Sequence, residues 1–313
     1  MNKEDDIRLD QKVRAAWMYY IAGLNQSEIA SQLGTSRPVV QRLIAAAKDE
    51  GIVSIGLHHP VANCLDYAQL LKEKYQLTDC NIMPVYSIES TLDSVTFGCY
   101  QLMARYLQGD KPTIVGIGSG LTLKKTIKRI DFDSQNTRCV ALISAMNEHG
   151  QCNYYDDVPL LLARKIQGKY YQWPAPRYAQ SREEYQMWST NRLFRNVSTV
   201  ARDSDVIFVG IGALGRQSPI FKDGFIDEQQ LEELTARGGV GEILGRFIDA
   251  EGNVVESQIN QMITSHDIRE SNCPRIAAAC GEDKRPAILA ALKGGWINGL
   301  VTDEHIARWL LTR

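Results

Sequence analysis

Residues 113–122 read TIVGIGSGLT, an apolar run that passes through a glycine-rich turn into a helical pattern. The run 113–117 predicts a buried strand, and residues 121–130 predict the helix that follows it. Further apolar runs at 138–144, 205–211, 275–279 and 297–302 predict strands, and helical stretches at 64–75, 158–167, 182–202, 228–237 and 283–292 alternate with them. Such alternation is typical of an α/β doubly wound, mostly parallel sheet.

The loop at 118–122 is predicted to hold an anion, because ligands of such sheets bind at the carboxyl ends of strands. Its glycines allow backbone N–H groups to face a ligand, and the following helix dipole favours negative charge. The loop is not a Walker A sequence, and Leu121 replaces the third glycine of a dinucleotide fingerprint. A sugar phosphate therefore fits better than a nucleotide, although a tight turn that uses glycine only for packing is the alternative. The candidate residues are Gly118, Ser119, Gly120, Leu121 and Thr122.

Three other glycine-rich loops follow predicted strands. The stretch 210–215, GIGALG, matches the dinucleotide pattern but lacks the helix and the acidic strand end that should follow it. In 238–245, Glu242 is a candidate acceptor for ligand hydroxyls, or an acid at a helix N-terminus. In 280–284, Lys284 is a candidate partner for a phosphate, or a solvated lysine.

The segment 11–57 predicts three helices. Apolar residues at 13, 16, 17 and 20 predict the first, and Asn25 with Glu28 forms the capping-box pattern of a short second helix. Thr35 and Ser36 are expected to cap the third, whose predicted core face is Val40, Leu43, Ile44 and Ala47. Two short helices joined by a turn containing Gly34 predict a helix-turn-helix, and 52–57 predicts a short strand. The expected domains are 1–57 for DNA binding and 58–313 for effector binding and oligomerisation, with a linker at 58–63.

The outward face of the third helix is the candidate surface for reading double-stranded DNA. Gln41 and Arg42 point away from the core, and these residue types pair with adenine and guanine in the major groove. Arg37 lies at the flank, whereas Gln26 and Ser36 lie at helix N-termini, where they can hold phosphates. The alternative is a three-helix module that docks a protein and leaves its arginines solvated.

Charge predicts that one copy of this module binds DNA weakly. Residues 1–57 contain seven basic and seven acidic side chains, and the whole chain has a formal net charge of −2. Affinity for DNA depends strongly on neutralised phosphates, so useful binding predicts a dimer or a higher oligomer.

Composition favours an ordinary globular protein of the cytoplasm. Hydrophobic residues make up 44% and charged residues 23% of the chain. The seven cysteines form no C-x-x-C pair, which favours reduced thiols and no metal site. The N-terminus has no apolar signal core, and no apolar stretch is long enough to span a membrane. No cofactor is expected.

The order and spacing of five stretches resemble the SorC family of sugar-binding transcriptional regulators, including its polyol-operon members. The stretches are YYIAGLNQSEIASQLGTSRPVVQRLIAAAKDEGIVSI (19–55), IGSGLT (117–122), DVIFVGIGALG (205–215), GGVGEILGRFIDAEGNVV (238–255) and ACGEDKRPAILAALKGGWINGLVTDE (279–304). The resemblance implies a winged helix-turn-helix and an effector domain related to glucosamine-phosphate deaminases and ribose-phosphate isomerases. It also implies a tetramer on a palindromic operator, controlled by a sugar phosphate or polyol derivative.

The resemblance assigns roles to individual residues and exposes two departures. It implies that 118–122 is the phosphate loop, that Glu242 is the ligand carboxylate, and that Lys284 lies on the phosphate side. The family commonly has Asp where Glu242 stands, and a Gly-Gly pair where Cys280 and Gly281 stand. Both changes are expected to reshape the pocket.

The alternative class is a sugar-phosphate isomerase or deaminase that carries a DNA-binding module. Acid–base chemistry on a sugar requires a positioned carboxylate or histidine. The deaminases carry Asp-Gly-His after their GIG motif, whereas residues 213–218 read ALGRQS. We therefore expect no enzyme activity and no catalytic residues, with His149 and His266 left as the open candidates.

Overall fold

The computed structural model describes residues 3–53, 59–146, 152 and 158–313. The chain divides into two compact units, Met1–His59 and Pro60–Arg313. The first unit contains α1 (Lys3–Tyr20), α2 (Gln26–Gln32) and α3 (Arg37–Asp49). Their shared core consists of Ala15, Ile29, Ala30, Val40 and Ile44.

The predicted capping box at the start of α2 is confirmed. The Asn25 side chain accepts hydrogen bonds from the amides of Ser27 and Glu28 at 3.0 and 3.1 Å, and Glu28 accepts one from the Asn25 amide at 2.8 Å. The expected cap of α3 is only half right, because Ser36 has extended backbone angles but its side chain makes no capping hydrogen bond. Of the predicted strand at 52–57, Ile52 and Val53 form no strand, and residues 54–57 lie outside the described residues.

The predicted core face of α1 is wrong at two positions. Val13 and Trp17 are 44% and 58% exposed, whereas Ala15 and Ala16 are buried. The helix carries two adjacent apolar arcs, and the arc with the small alanines faces inward. Alanine permits close approach of helix backbones, and α1 packs on α3. Side-chain volume therefore decided which arc is buried.

The second unit is built on a seven-stranded sheet whose neighbouring strands are all parallel. The strand order is β1-β10-β9-β5-β2-β3-β4. The strands are β1 (Asp79–Met83), β2 (Ile114–Ile117), β3 (Arg138–Ala141), β4 (Lys169–Tyr171), β5 (Val206–Val209), β9 (Arg275–Ala278) and β10 (Gly299–Asp303). The five predicted strands are confirmed, with ends that differ from the prediction by at most three residues, and β1 and β4 were not predicted.

A small antiparallel sheet joins β6 (Gly212–Ala213), β7 (Gly239–Ile243) and β8 (Arg246–Asp249). After β8 the chain turns back as a hairpin, in which the Asp249 amide donates to the Asn253 carbonyl at 2.9 Å and Ile248 bridges Val254. This sheet follows β5 and lies beside the carboxyl edge of the large sheet.

Helices cover both faces of the large sheet. The cores of α5, α6 and α7 pack on one face, and those of α4, α9, α13 and α14 pack on the other. The helices are α4 (Pro60–Tyr75), α5 (Ile88–Leu107), α6 (Leu121–Lys128), α7 (Val158–Lys165), α8 (Arg182–Thr190), α9 (Arg192–Arg202), α10 (Pro219–Lys222), α11 (Glu228–Ala236), α12 (Gln258–Gln261), α13 (Arg285–Lys293) and α14 (Glu304–Leu311), with 3₁₀ turns at Ile268–Glu270 and Glu282–Lys284.

Two helix boundaries differ from the prediction. The single helix expected at 182–202 is interrupted at Asn191, whose side chain instead caps α9 by accepting from the Leu193 amide at 2.9 Å. Helix α4 begins at Pro60, inside the expected linker at 58–63, because proline suits the first turn of a helix. Among the described residues, no helix is long and apolar enough to cross a membrane.

Candidate functional site

The strand order places the switch point of the sheet, where a ligand crevice is expected, between β2 and β5. From β2 the chain proceeds outward through β3 and β4, and it then returns to β5 on the opposite side of β2. Loops that leave two neighbouring strands in opposite directions open a cleft at their carboxyl ends, which is where doubly wound sheets bind ligands. The loops at 118–122 and 210–215 flank this cleft.

The backbones of these two loops are in contact. The Gly118 amide donates to the Phe208 carbonyl of β5 at 2.9 Å, so this N–H group is already used. A Cβ at Gly118 would lie 2.9 Å from Cδ2 of Leu244, and one at Gly210 would lie 3.3 Å from the Ser119 carbonyl oxygen. Packing alone therefore explains glycine at 118 and 210.

Glycine at the start of α6 has a different cause from the glycines at 118 and 210, which are explained by packing. Gly120 is the N-cap residue with φ +115°, and it offers no side chain to cap the helix. A Cβ at this position would meet nothing within 4 Å. The positive φ angle, and not crowding, therefore favours glycine at position 120. Ser119 is half-buried, Leu121 is exposed and Thr122 is buried. The first turn of α6 thus presents amides without a side-chain cap at the edge of the crevice, where an anion is favoured.

Glu242 lies in β7, which rules out its alternative interpretation as a helix N-terminal acid. It pairs with Gly212 of β6, directly after β5. Its Oε2 accepts a hydrogen bond from the Gly245 amide at 2.7 Å. Its Oε1 is so near Gly212 that a Cβ there would lie 2.2 Å from it. The carboxylate is thereby held beside the loop that flanks the crevice.

Lys284 lies one strand further along the same edge. It ends the 3₁₀ turn after β9, is half-buried, and belongs to a segment that packs against β6. Burial raises the pKa of the neighbouring Cys280 thiol to about 11, and the charges of Lys284 and Lys125 oppose that rise. Because β5 separates β2 from β9, their ends are about 10 Å apart. The loops at 118–122 and 280–284 therefore leave the same edge of the large sheet, and Glu242 of the small sheet is paired with Gly212, which follows the strand between them.

The first unit presents the predicted DNA-contacting residues on its surface. Gln41, Arg42, Arg37 and Ser36 are exposed, and Gln26 is half-buried. The Arg37 guanidinium donates to Oε1 of Gln26 at 3.4 Å, which links the starts of α2 and α3. A shallow depression of about 520 Å³ lies there, and it is lined by Tyr19, Asn25, Gln26, Ser27 and Arg37.

His266 is buried and hydrogen-bonded. Its Nε2 lies 2.9 Å from Oγ of Ser271, and burial lowers its pKa to about 4. A neutral imidazole that is buried and hydrogen-bonded in this way has a structural role. His149 lies outside the described residues, and the described part of the chain contains no His, Cys, Asp and Glu cluster suited to a metal ion.

Two residues of this region were not singled out from the sequence. Gly212 accommodates the Glu242 carboxylate, and Leu244 covers Gly118. The GIGALG match contained Gly212, but its role depends on strand pairing between β6 and β7. Leu244 has φ +52°, a conformation that its residue type gives no reason to expect.

A doubly wound parallel sheet with glycine-rich loops at its switch point is typical of α/β domains that bind small ligands. The family model described as "Putative sugar-binding domain" matches residues 59–312. The chain belongs to the SorC family of sugar-binding transcriptional regulators.

Relatives of known name match almost the full chain. The chain is 30% identical to the erythritol catabolism regulatory protein EryD of Brucella abortus, over 96% of this chain and 95% of EryD. It is 31% identical to the transcriptional regulator LsrR of Escherichia coli K12, over 96% and 94% of the two chains. The crystal structure of the full-length sorbitol operon regulator SorC from Klebsiella pneumoniae superposes with a TM-score of 0.72 at 26% identity, covering 98% of this chain and 99% of that one.

Proposed function

We propose that this protein regulates a carbohydrate or polyol catabolic operon by binding operator DNA through its first unit and a phosphorylated sugar or polyol through its second. The proposal rests on two features that lie beside the β2/β5 switch point. The first turn of α6 has no side-chain cap, and the Glu242 carboxylate stands next to Gly212. The names of EryD and of the sorbitol operon regulator support a polyol-type effector.

The chemistry of the crevice suits a ligand with hydroxyl groups at one end and an anion at the other. A carboxylate accepts hydrogen bonds from sugar or polyol hydroxyls. The amides of α6 and the ammonium group of Lys284 favour a phosphate. We assign the phosphate to residues 118–122, with Lys284 on the phosphate side, and the hydroxyl end to Glu242. This arrangement supports an effector domain related to glucosamine-phosphate deaminases and ribose-phosphate isomerases.

The first unit is proposed to be a winged helix-turn-helix. Helices α2 and α3 are separated by a turn in which Gly34 has φ +62°. Gln41 and Arg42 on the exposed face of α3 would contact base edges, and Arg37, Gln26 and Ser36 would contact phosphates. The link between Arg37 and Gln26 orients both side chains toward one surface.

The regulator is proposed to act in the cytoplasm as a tetramer, a dimer of dimers on a palindromic operator. Oligomerisation compensates for the neutral charge of one DNA-binding module. The effector would shift the population between two arrangements, which requires different affinities for the two. We propose no enzyme activity, since the one described buried histidine, His266, has its Nε2 engaged by the Ser271 hydroxyl at 2.9 Å.

A thermal-shift screen of polyols, sugars and their phosphates on the full chain tests this function. A ligand at 100 times its dissociation constant stabilises the native state by about 2.7 kcal/mol. Hits are then added to gel shifts with DNA from the regulator's own promoter region. The proposal requires that a stabilising polyol or sugar phosphate also changes operator binding. Stabilisation only by compounds without hydroxyl groups would refute it.

A further inference from the structure

The outward face of α14 carries an unusual set of side chains. His305, Arg308, Trp309 and Thr312 have the spacing i, i+3, i+4 and i+7, which places them on one side of the helix. Ile306, Ala307 and Leu310 are buried on the other side. Together with Arg285 at the start of α13, the four outward residues line a depression of about 290 Å³.

The depression is strongly cationic. The Nε of Arg285 is buried without a hydrogen-bond partner among the described residues, while its Nη2 donates to Glu282 at 2.7 Å. Arg308 is exposed and forms no ion pair within the described ranges. The guanidinium of Arg313 lies 4.9 Å from the centre of the Trp309 ring, and that of Arg285 lies 5.9 Å from it.

The acidic groups nearby are already engaged. Glu282 is paired with Arg285, and Glu304 accepts a hydrogen bond from the Val85 amide at 2.7 Å. Two guanidinium groups, those of Arg285 and Arg313, therefore lie within 6 Å of the centre of the indole ring, and Arg308 lines the same depression, with little compensating negative charge. Guanidinium groups pair with phosphate or carboxylate in a bidentate manner, and an indole offers a flat apolar surface.

We propose that this depression, defined by Arg285, His305, Arg308, Trp309 and Thr312, is a second anion site that binds a small molecule with a phosphate group on a flat apolar body. Its volume of about 290 Å³ is close to the lower limit of the range of about 300–1,000 Å³ for small-ligand sites. A protein partner would need about 800 Å² on each side, far more than one turn-and-a-half of helix face provides.

The site is connected to the effector crevice through one ion pair. Arg285 holds Glu282, and Glu282 belongs to the 3₁₀ turn that ends at Lys284. An anion bound to Arg285 competes with Glu282 and thereby loosens the turn that positions Lys284. This coupling, unlike the site itself, rests on the proposed function of Lys284. It predicts that the second anion weakens effector binding and that the effector weakens anion binding by the same factor.

Calorimetric titration of the full-length protein with phenyl phosphate, and separately with inorganic phosphate, tests the site. We expect saturable binding of one phenyl phosphate per chain, tighter than that of inorganic phosphate because of Trp309. Arg285→Gln and Arg308→Gln should each weaken it by about tenfold or more. Arg192→Gln, which removes an exposed arginine at the start of α9, is the matched control and should bind as the wild type does.

Other outcomes overturn the proposal. Equal losses in the control variant would show general charge attraction, and non-saturable binding would show an adventitious ion only. A changed oligomeric state in Arg308→Gln without phenyl phosphate binding would assign the depression to contact with a second copy. If phenyl phosphate binds as expected but Lys284→Ala leaves the effector response intact, the anion site stands and only the phosphate assignment in the crevice fails.

Discussion

The carboxylate of Glu242 lies directly against the α carbon of Gly212, and a β carbon at position 212 would be 2.2 Å from its Oε1. The contact spans two strands that are paired in register. Glutamate is one methylene longer than the aspartate expected from the family resemblance. Its extra length is accommodated by the bare backbone of Gly212 and by the hydrogen bond from Gly245.

Gly212→Ala should therefore displace Glu242 and weaken effector binding. The loss should be about tenfold or more, since hydrogen bonds to a charged group contribute about 1.5–3 kcal/mol. Titration calorimetry with the hit from the ligand screen measures the effect, and operator binding without effector should stay unchanged. Glu242→Gln keeps the acceptor oxygen but removes the charge. Comparison with Gly212→Ala therefore distinguishes the effect of the side chain's position from the effect of its charge. Wild-type effector affinity in correctly folded Gly212→Ala would exclude Glu242 from the site.

Lys284→Ala should reduce the response to a phosphorylated effector and leave operator binding intact. Removing one charge-assisted hydrogen bond removes about 1.5–3 kcal/mol of binding energy. The matched control is Lys293→Ala at the other end of α13, where the lysine pairs with Glu251 on the surface. Gel shifts across an effector titration measure both. An identical midpoint in Lys284→Ala and wild type would end the phosphate assignment.

Gln41→Ala and Arg42→Ala should lose discrimination between operator and random DNA. Each bidentate base contact contributes about 1–3 kcal/mol of specificity. Lys48→Ala, in the last turn of α3, is expected to weaken both DNA types together because it removes charge without a base contact. Competition gel shifts give the ratio of the two affinities. An unchanged ratio in the first two variants would mean that another face reads the bases.

Asn25→Ala should destabilise the start of α2, whereas Ser36→Ala should have little effect on α3. A lost side-chain cap costs about 1 kcal/mol, and of these two residues Asn25 makes capping hydrogen bonds whereas Ser36 makes none. Hydrogen exchange of the full chain should show α2 amides exchanging about fivefold faster in Asn25→Ala. Similar acceleration of α3 in Ser36→Ala would contradict the difference between the two caps.

Acidification should destabilise the second unit through His266. Burial lowers its pKa from 6.5 to about 4; Arg246 and Arg202 act in the same direction, and Asp267 opposes them. Between these values the unfolded chain binds a proton that the folded chain does not, so stability falls as pH falls below about 6.5. The expected loss from pH 7 to pH 5 is about 2 kcal/mol.

Urea unfolding at both pH values measures this loss. His266→Gln retains a partner for Ser271 and removes the titrating group, so its stability should vary less with pH. An equally steep pH dependence in His266→Gln would assign the effect to other groups.

The elements predicted well are those whose signals are local. The capping box at Asn25 and the apolar strands around the sheet centre depend on neighbouring residues or on continuous burial. Strands β1 and β4 lie at the two edges of the large sheet. Strand β1, DCNIM, mixes polar with apolar residues, and β4 has only three residues. Edge strands need less apolar sequence, so their pattern resembles that of loops.

The sequence by itself determined the loop chemistry: glycine before α6, an acid at 242, a lysine at 284, and an arginine and glutamine on the outward face of α3. Only the tertiary structure decided which of these meet. The insertion of β5 beside β2 opened the crevice, and the pairing of β6 with β7 brought Glu242 onto Gly212. Strand order and register arise from packing between segments distant in sequence, so no local pattern specifies them.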